Sequence, residues 1–431
     1  MADIKYNNLY KVFGIILYYF RYRFTQYWSK KKIQTYQYNR LKNQLVSASE
    51  TKYYRDIFKK IDFCPKTDFN SLGDIKKIPI TSKEIVKKNT ESFINSKYKK
   101  YSLHFYTSGS TGNPMKSLIY PLHWIIEQAV IYRHWKWGGY RFRDSTAMLR
   151  SYSPKKGEPL IKYSRPLNTT YFSPFHLNNK NMLRYYEVMK KLKVKIIRGY
   201  PSSVRIFSLF LKNNNLKLSS VKQVLVASEV LSDSDRNLIE GVFDCKISNH
   251  YGLAEQIVMF GDCEHHTHLH NYFEYGYVEL IDTEFPKIKK IIGTNLHNKT
   301  MPIIRYDTGD LALIDDSVCN CKRNSVVIRN IIGRNDQSIK TPNGFEMPSV
   351  NFYTMFEHYL EIDQWQITYN NRTINFNYSS SKEISRDKLY ELKSKIENRI
   401  NDSGFVYSIN RVSKFIKKNE GKIPSIVNLN N

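Results

Sequence analysis

Between Val194 and Gly252 the chain is written in short apolar blocks separated by polar stretches of helical pattern. The block VKIIRGYP (194–201) is short, rich in β-branched residues and closed by Gly199 and Pro201, which predicts a strand. SSVRIFSLFLK then carries apolar residues at helical spacing, with Ser202 to open it. VKQVLVAS (221–228) followed by SDSDRNLIEGVF repeats the plan, and CKISNHYG (245–252) begins a third round. Strands alternating with helices at this spacing pair in parallel, and ligands of such sheets gather at the carboxyl ends of the strands. The loops GYPSS, ASE and HYGLAE are therefore expected to face one cleft.

The last hundred residues read differently. WQITYNNRTINFNY (365–378) alternates about Asn370 and Asn371 like a hairpin, Leu389, Leu392, Ile396 and Ile400 recur at helical spacing, and FVYSI supplies a further strand. The pattern predicts an α/β protein with a large N-terminal domain, 1–333, built of parallel-rich sheets and helices. A small C-terminal α+β domain, 334–431, follows a boundary near GRND (333–336).

One apolar run changes the picture near the start. VFGIILYYF (12–20) falls far short of the roughly 20 residues that span a bilayer, and no small-residue cleavage site follows it. Arg21, Arg23, Lys30, Lys31 and Lys32 come next, interleaved with Tyr22, Phe24, Tyr27 and Trp28. Such a segment either packs on its own domain or lies on an anionic membrane surface. The reading is a cytoplasmic protein, in the second case peripheral to the inner face of the membrane. The net charge of +28 in 431 residues raises nucleic acid as a partner. No basic stretch is joined to a recognisable binding module, so nucleic acid is set aside, and lysine spread together with Asn, Ile and Tyr fits a codon preference equally well. Five scattered cysteines make no disulfide framework.

The chemistry starts at HFYTSGSTGNPMK (104–116). Small hydroxyl residues among glycines leave backbone N–H and side-chain O–H groups free to fold around phosphate oxygens, although such clusters also serve as plain turns. The spacing does not fit GxxxxGK[ST], because Asn113 and Pro114 follow Gly112. Three more stretches follow in order: HYGLAE with Tyr251 and Glu255, IRYDTGD with Asp307 and Asp310, and GRNDQSIKTPNGFEMPS.

Together these four stretches resemble the motifs of the adenylate-forming enzymes, the superfamily of acyl-CoA synthetases, peptide synthetase adenylation domains and luciferases. The likeness is greatest to the phenylacetate CoA ligase branch, with its relatives named as capsular polysaccharide biosynthesis proteins, and it runs from about residue 100 to the end. The resemblance implies an AMP-forming ligase. A carboxylic acid attacks the α-phosphate of ATP to give an acyl adenylate and pyrophosphate, and the acyl group then passes to CoA or to an amine, an amino sugar among them. It implies that Thr107, Ser108, Gly109, Ser110, Thr111 and Gly112 cradle the β- and γ-phosphates, with Lys116 as a cation nearby. Glu255 would hold Mg²⁺, Tyr251 and the adjoining Gly252 would lie at the adenine, and Asp310 would accept from both ribose hydroxyls. Ser228 and Glu229 of ASEVL match the loop beside the adenine, Arg334 would support the ribose or phosphates, and Lys422 of KNEGKIPSIVN matches the terminal lysine that contacts the carboxylate and α-phosphate. A hinge for the small domain is expected at Asp336 or Gln337.

Two features qualify the resemblance. Ala254 stands where the family usually has Thr or Ser, whose hydroxyl meets the adenylate phosphate; loss of one such bond costs about 1.5 to 3 kcal/mol. This departure leaves open a catalytically degenerate protein that binds nucleotide or scaffolds a glycan-assembly complex. The second feature is Cys263 in GDCEHHTHLH with Cys319 and Cys321 in DSVCNCKR, soft ligands of a kind that takes structural Zn²⁺. By likeness to the branch His270 is the fourth ligand, with His265, His266 and His268 as rivals.

Overall fold

The computed structural model describes residues 8–106, 116–155, 157–229, 231, 233–283, 287–333, 338–340, 346–348, 352, 359, 361–362, 364–380, 383–400, 404–416 and 426–430. They fall into two compact units, one built from the chain before Gly139 together with Ser248–Gly333, the other from Gly139–Ile247 and the residues after Gly333.

The first unit opens with helices α1 (Asn8–Thr25), α2 (Lys30–Ala48) and α3 (Lys52–Lys60), the short α4 (Lys83–Lys88) and α5 (Ser96–Lys99), and the long α6 (Pro121–Trp137). Ser29 caps α2 by accepting from Lys32 N, and Thr51 caps α3 by accepting from Tyr54 N. Strands β1 (Leu103–Tyr106) and β2 (Lys116–Ile119) pair antiparallel, with Tyr106 opposite Lys116. The loop residues Thr107, Ser108, Gly109, Ser110, Thr111 and Gly112 fall between these strands and lie outside the described residues.

In the second unit β3 (Thr146–Leu149), β4 (Ile161–Ser164), β5 (Thr169–Phe172), β6 (Ile196–Gly199) and β7 (Gln223–Ala227) stand in the order β4-β5-β3-β6-β7. β3 runs parallel to β5 and β6, and β6 to β7, while the outer β4 is antiparallel. Helices α7 (Asn179–Lys191), α8 (Pro201–Asn213) and α9 (Asp233–Phe243) connect them, so the two strand-then-helix rounds expected from the pattern are present. Pro201 starts α8, one residue before Ser202, because a proline at the first helical position loses no bond the helix needs. The core of this half is Val, Ile, Leu and Phe from both layers, including Ile197, Val204, Phe207, Val224 and Ile239.

The third round does not repeat the plan. β8 (Ile247–Gly252) is followed by the antiparallel β9 (Met259–Asp262), then by β10 (Leu269–Asn271). The apolar run resumes at Ile257, soon after β8 ends, whereas a parallel crossover needs about a dozen residues or more. A tight turn results, with Gln256 N bonded to Leu253 O. A second antiparallel sheet of β11 (Gly276–Asp282), β12 (Ile288–Asn295), β13 (Tyr306–Leu313) and β15 (Asn330–Gly333) completes the unit, while β14 (Val327–Ile328) pairs with β10. Its core gathers Leu41, Leu45, Phe69, Ile257, Ile291 and Ile304.

After Gly333 come the small pair β16 (Ser338–Lys340) and β17 (Glu346–Pro348). The hairpin β18 (Gln364–Tyr369) and β19 (Thr373–Ser379), α10 (Arg386–Ile400), β20 (Val406–Arg411) and β21 (Ile426–Asn428) follow. The expected hairpin is there, turned by Asn370, whose side-chain oxygen accepts from Arg372 N and Thr373 N. Leu392, Ile396 and Ile400 of α10 are buried with Trp365, Ile367 and Phe376.

Candidate functional site

Tyr251 lies near the end of β8 and Asp310 in β13, and the phenol donates to the Asp310 Oδ2 at 2.7 Å across 59 positions of sequence. The turn DTGD shapes the carboxylate's surroundings. Gly309 has φ +73, a left-handed conformation that glycine adopts without strain, and its N–H is bonded to Asp307 Oδ1. Asp310 N donates to Thr308 Oγ1.

Glu255 follows a few residues on and is 4% exposed. Its Oε1 accepts from the buried Tyr306 phenol at 3.1 Å and lies 3.4 Å from Lys83 Nζ. A buried carboxylate needs such compensation. Lys83, in the first turn of α4, escaped the sequence reading because a lysine among many carries no local signal. Both contacts fall on one oxygen, and a carboxylate is a hard oxygen donor of the kind Mg²⁺ takes, an ion that keeps several waters and binds through few protein ligands. Lys116 opens β2 and is half-buried.

Ser228 and Glu229 follow β7 in the second unit. Ser228 has φ +74 and accepts from Arg150 at 3.2 Å. Glu229 accepts from Ser202 N at 2.9 Å and from Ser202 Oγ at 3.1 Å, at the first turn of α8, where a helix favours negative charge. Arg399 of α10 completes the set, donating to Glu229 Oε1 at 3.1 Å and to Ser202 and Ser203 hydroxyls at 2.6 Å each. Burial raises the Glu229 carboxyl from its ordinary value and lowers that of Arg399, each partly offset by the other's charge. The sequence reading missed Arg399; its one signal was position, a cation set beside Ile396 and Ile400 on the apolar face of α10. Arg334 and Lys422 lie outside the described residues.

The four metal candidates do converge. Ligand atoms of Cys263, His270, Cys319 and Cys321 all lie within 4.8 Å of one another, with Cys263 Sγ 3.4 Å from Cys319 Sγ and Cys321 Sγ 3.3 Å from His270 Nε2. A tetrahedron with Zn–S near 2.3 Å has edges of about 3.8 Å, close to these spacings. Free thiols and one imidazole are the donors it takes. Two rivals are engaged elsewhere, His266 with Asp262 and His268 with Asp315 and Ser317. Asp262 is buried, which by itself raises its pKa, but hydrogen bonds from His134 and His266 outweigh this and hold it at about 2. It also accepts from Asn249 N, tying the cysteine-bearing turn to β8.

The fold matches that of a solved CoA ligase. The chain matches the solved structure of 2-hydroxyisobutyryl-CoA ligase in complex with 2-HIB-AMP and CoA in the thioesterification state with a TM-score of 0.63. That match covers 94% of this chain and 91% of that one at 15% identity. The same enzyme in the postadenylation state with R3-HIB-AMP gives a TM-score of 0.60 at 14% identity, with the same coverage. In sequence the chain is a homologue of protein CapK of Staphylococcus aureus, 24% identical over 344 residues, which is 75% of this chain and 72% of that protein. The phenylacetate-coenzyme A ligase of Thermus thermophilus is 27% identical over 129 residues, 28% of this chain and 29% of the enzyme. No family model matches.

Proposed function

We propose that the protein activates a carboxylic acid with MgATP as an acyl adenylate and transfers the acyl group to CoA or to an amine, an amino sugar of a surface polysaccharide among the candidates. One observation carries this reading. Tyr251 and Asp310, assigned by motif to the adenine and ribose of one nucleoside, are hydrogen-bonded to each other although 59 positions apart.

In this reading Asp310 binds the ribose hydroxyls through its two oxygens and Tyr251 both packs on adenine and fixes the carboxylate's orientation. Glu255 holds the Mg²⁺ that travels with ATP, and Lys116 with Thr107, Ser108, Gly109, Ser110, Thr111 and Gly112 neutralises the phosphates. Gly252, Ser228, Glu229 and Arg334 complete the nucleotide's surroundings, and Lys422 stabilises charge at the α-phosphate. Residues 334–431 act as a lid whose movement brings Lys422 to the first half-reaction and withdraws it for the second. Zn²⁺ at Cys263, His270, Cys319 and Cys321 is structural, because four protein ligands leave no open position. The protein works in the cytoplasm, peripheral to the inner face of the membrane, and takes no nucleic acid.

The alternative is a degenerate nucleotide-binding scaffold of a glycan-assembly complex, favoured by Ala254. Incubation with ATP, a panel of acids, and either CoA or amines, followed by mass analysis of products, separates the two. A thioester or amide together with AMP is expected. Nucleotide binding with no AMP released for any acid supports the scaffold instead.

A further inference from the structure

Helix α1 is apolar on two faces, and the described residues cover only one. On the covered side Lys11, Tyr22 and Thr25 are buried, a Cβ on Gly14 would sit 3.1 Å from Ile125 of α6, and the Tyr22 carbonyl accepts from Arg133 at 3.0 Å. On the other side Phe13, Leu17, Phe20 and Phe24 recur at i, i+4, i+7 and i+11, one face of a helix. They are 68, 57, 52 and 75% exposed, and Ile16 and Tyr27 extend the strip. Contiguous apolar surface of this kind marks an interaction site rather than a face meant for water.

Charge decides what covers it. Residues 4–49 hold nine lysines and arginines and no aspartate or glutamate, in a chain with 39 acidic residues. A codon preference for lysine adds cations but does not remove acids. By helical spacing Arg21 and Arg23 border the strip on its two sides. Lys30, Lys31 and Lys32 are exposed where α2 begins, and the latter two line, with Trp28 and Tyr36, a recess of about 560 Å³. A second copy of the same face would set like charges against each other, and no helix among the described residues is long and apolar enough to cross a bilayer.

We infer that α1 lies in the plane of an anionic phospholipid surface, its strip at the acyl boundary and its flanking cations at the phosphates. The inference rests on the proposed membrane-peripheral location and names the surface and the lipid chemistry; it does not depend on the ligase reaction. The test is flotation of the full chain with vesicles of phosphatidylcholine alone and of phosphatidylcholine mixed with phosphatidylglycerol. Binding is expected only with phosphatidylglycerol, weakening with salt. It should fall at least about tenfold in Phe13→Ser/Phe20→Ser/Phe24→Ser and in Arg21→Gln/Arg23→Gln, with melting temperature and pyrophosphate exchange unchanged. Flotation equal in wild type and the triple variant, no flotation on anionic vesicles, or dimerisation through the strip without lipid binding would overturn it. Flotation that persists while every acid fails in exchange supports the surface and counts against the ligase reading alone.

Discussion

Removing the hydroxyl of Tyr251 takes away its bond to Asp310, and that bond has a defined purpose in the proposed function. Tyr251→Phe keeps the ring but loses the bond to Asp310 Oδ2. The KM for ATP is expected to rise about tenfold or more, because a hydrogen bond to a charged group is worth about 1.5 to 3 kcal/mol, with kcat little changed. Steady-state kinetics with varied ATP checks this. Ala254 gives the opposite experiment: Ala254→Ser returns a hydroxyl to the place where the family carries one and should speed adenylation by about tenfold or more. No gain would mean that another group already meets that phosphate. Two buried histidines set a pH limit. Burial lowers His123 to about 4 and His297 to about 3, whereas both ordinarily titrate near 6.5. Between these values the unfolded chain binds protons the folded one refuses, so stability falls as pH drops below about 6.5, by about 1.4 kcal/mol per unit for each histidine. Urea midpoints from pH 7 to pH 4 should show this slope, and His123→Gln should flatten it. An equal slope in the variant would contradict the assignment.

At the scale of elements, α10 is held by more than its apolar stripe. Arg399 is 1% exposed, and its ion pair with Glu229 is shut away from water. Breaking a buried pair by removing one partner costs about 3 to 5 kcal/mol, so Arg399→Ala should lower stability by that order in urea unfolding, whereas Lys393→Ala on the exposed side of α10 should cost about 0.5 kcal/mol or less. The stripe of α10, the hairpin at Asn370 and the strands β6 and β7 were legible in the sequence because each is a local pattern whose partner is a few residues away or any apolar surface. Arg399 and Lys83 were not. Their roles come from carboxylates more than a hundred residues distant, and nothing local distinguishes them from the other basic residues of the chain. The turn after β8 was misread for a related reason, since the count of residues before Ile257, not their polarity, rules out a crossover. At the cysteine loops the spacing alone left four histidines open; the family likeness pointed to His270, and it is the His270 ring that stands with the three cysteine sulfurs, all four ligand atoms lying within 4.8 Å of one another. Purified protein is expected to carry about one Zn²⁺ per chain, lost in Cys321→Ser with a lowered melting temperature; elemental analysis showing metal-free, equally stable protein would exclude the site.

For the whole molecule, the fold was legible because four motifs in a fixed order are spread over much of the chain, whereas the side chains that would choose an acid and an acceptor belong to no motif. The proposed function stands or falls on one step, the reversible attack of a carboxylate on the α-phosphate of ATP. Acid-dependent exchange of labelled pyrophosphate into ATP reads that step and no other. Exchange is expected with at least one acid, depressed about a hundredfold or more in Lys422→Ala and in Glu255→Gln, the scale of losing a charge that acts on the transition state. Transfer from a supplied adenylate should be nearly unaffected by Lys422→Ala, because that lysine's charge is needed only while the α-phosphate is attacked. Exchange absent with every acid, or undiminished in both variants, would contradict it.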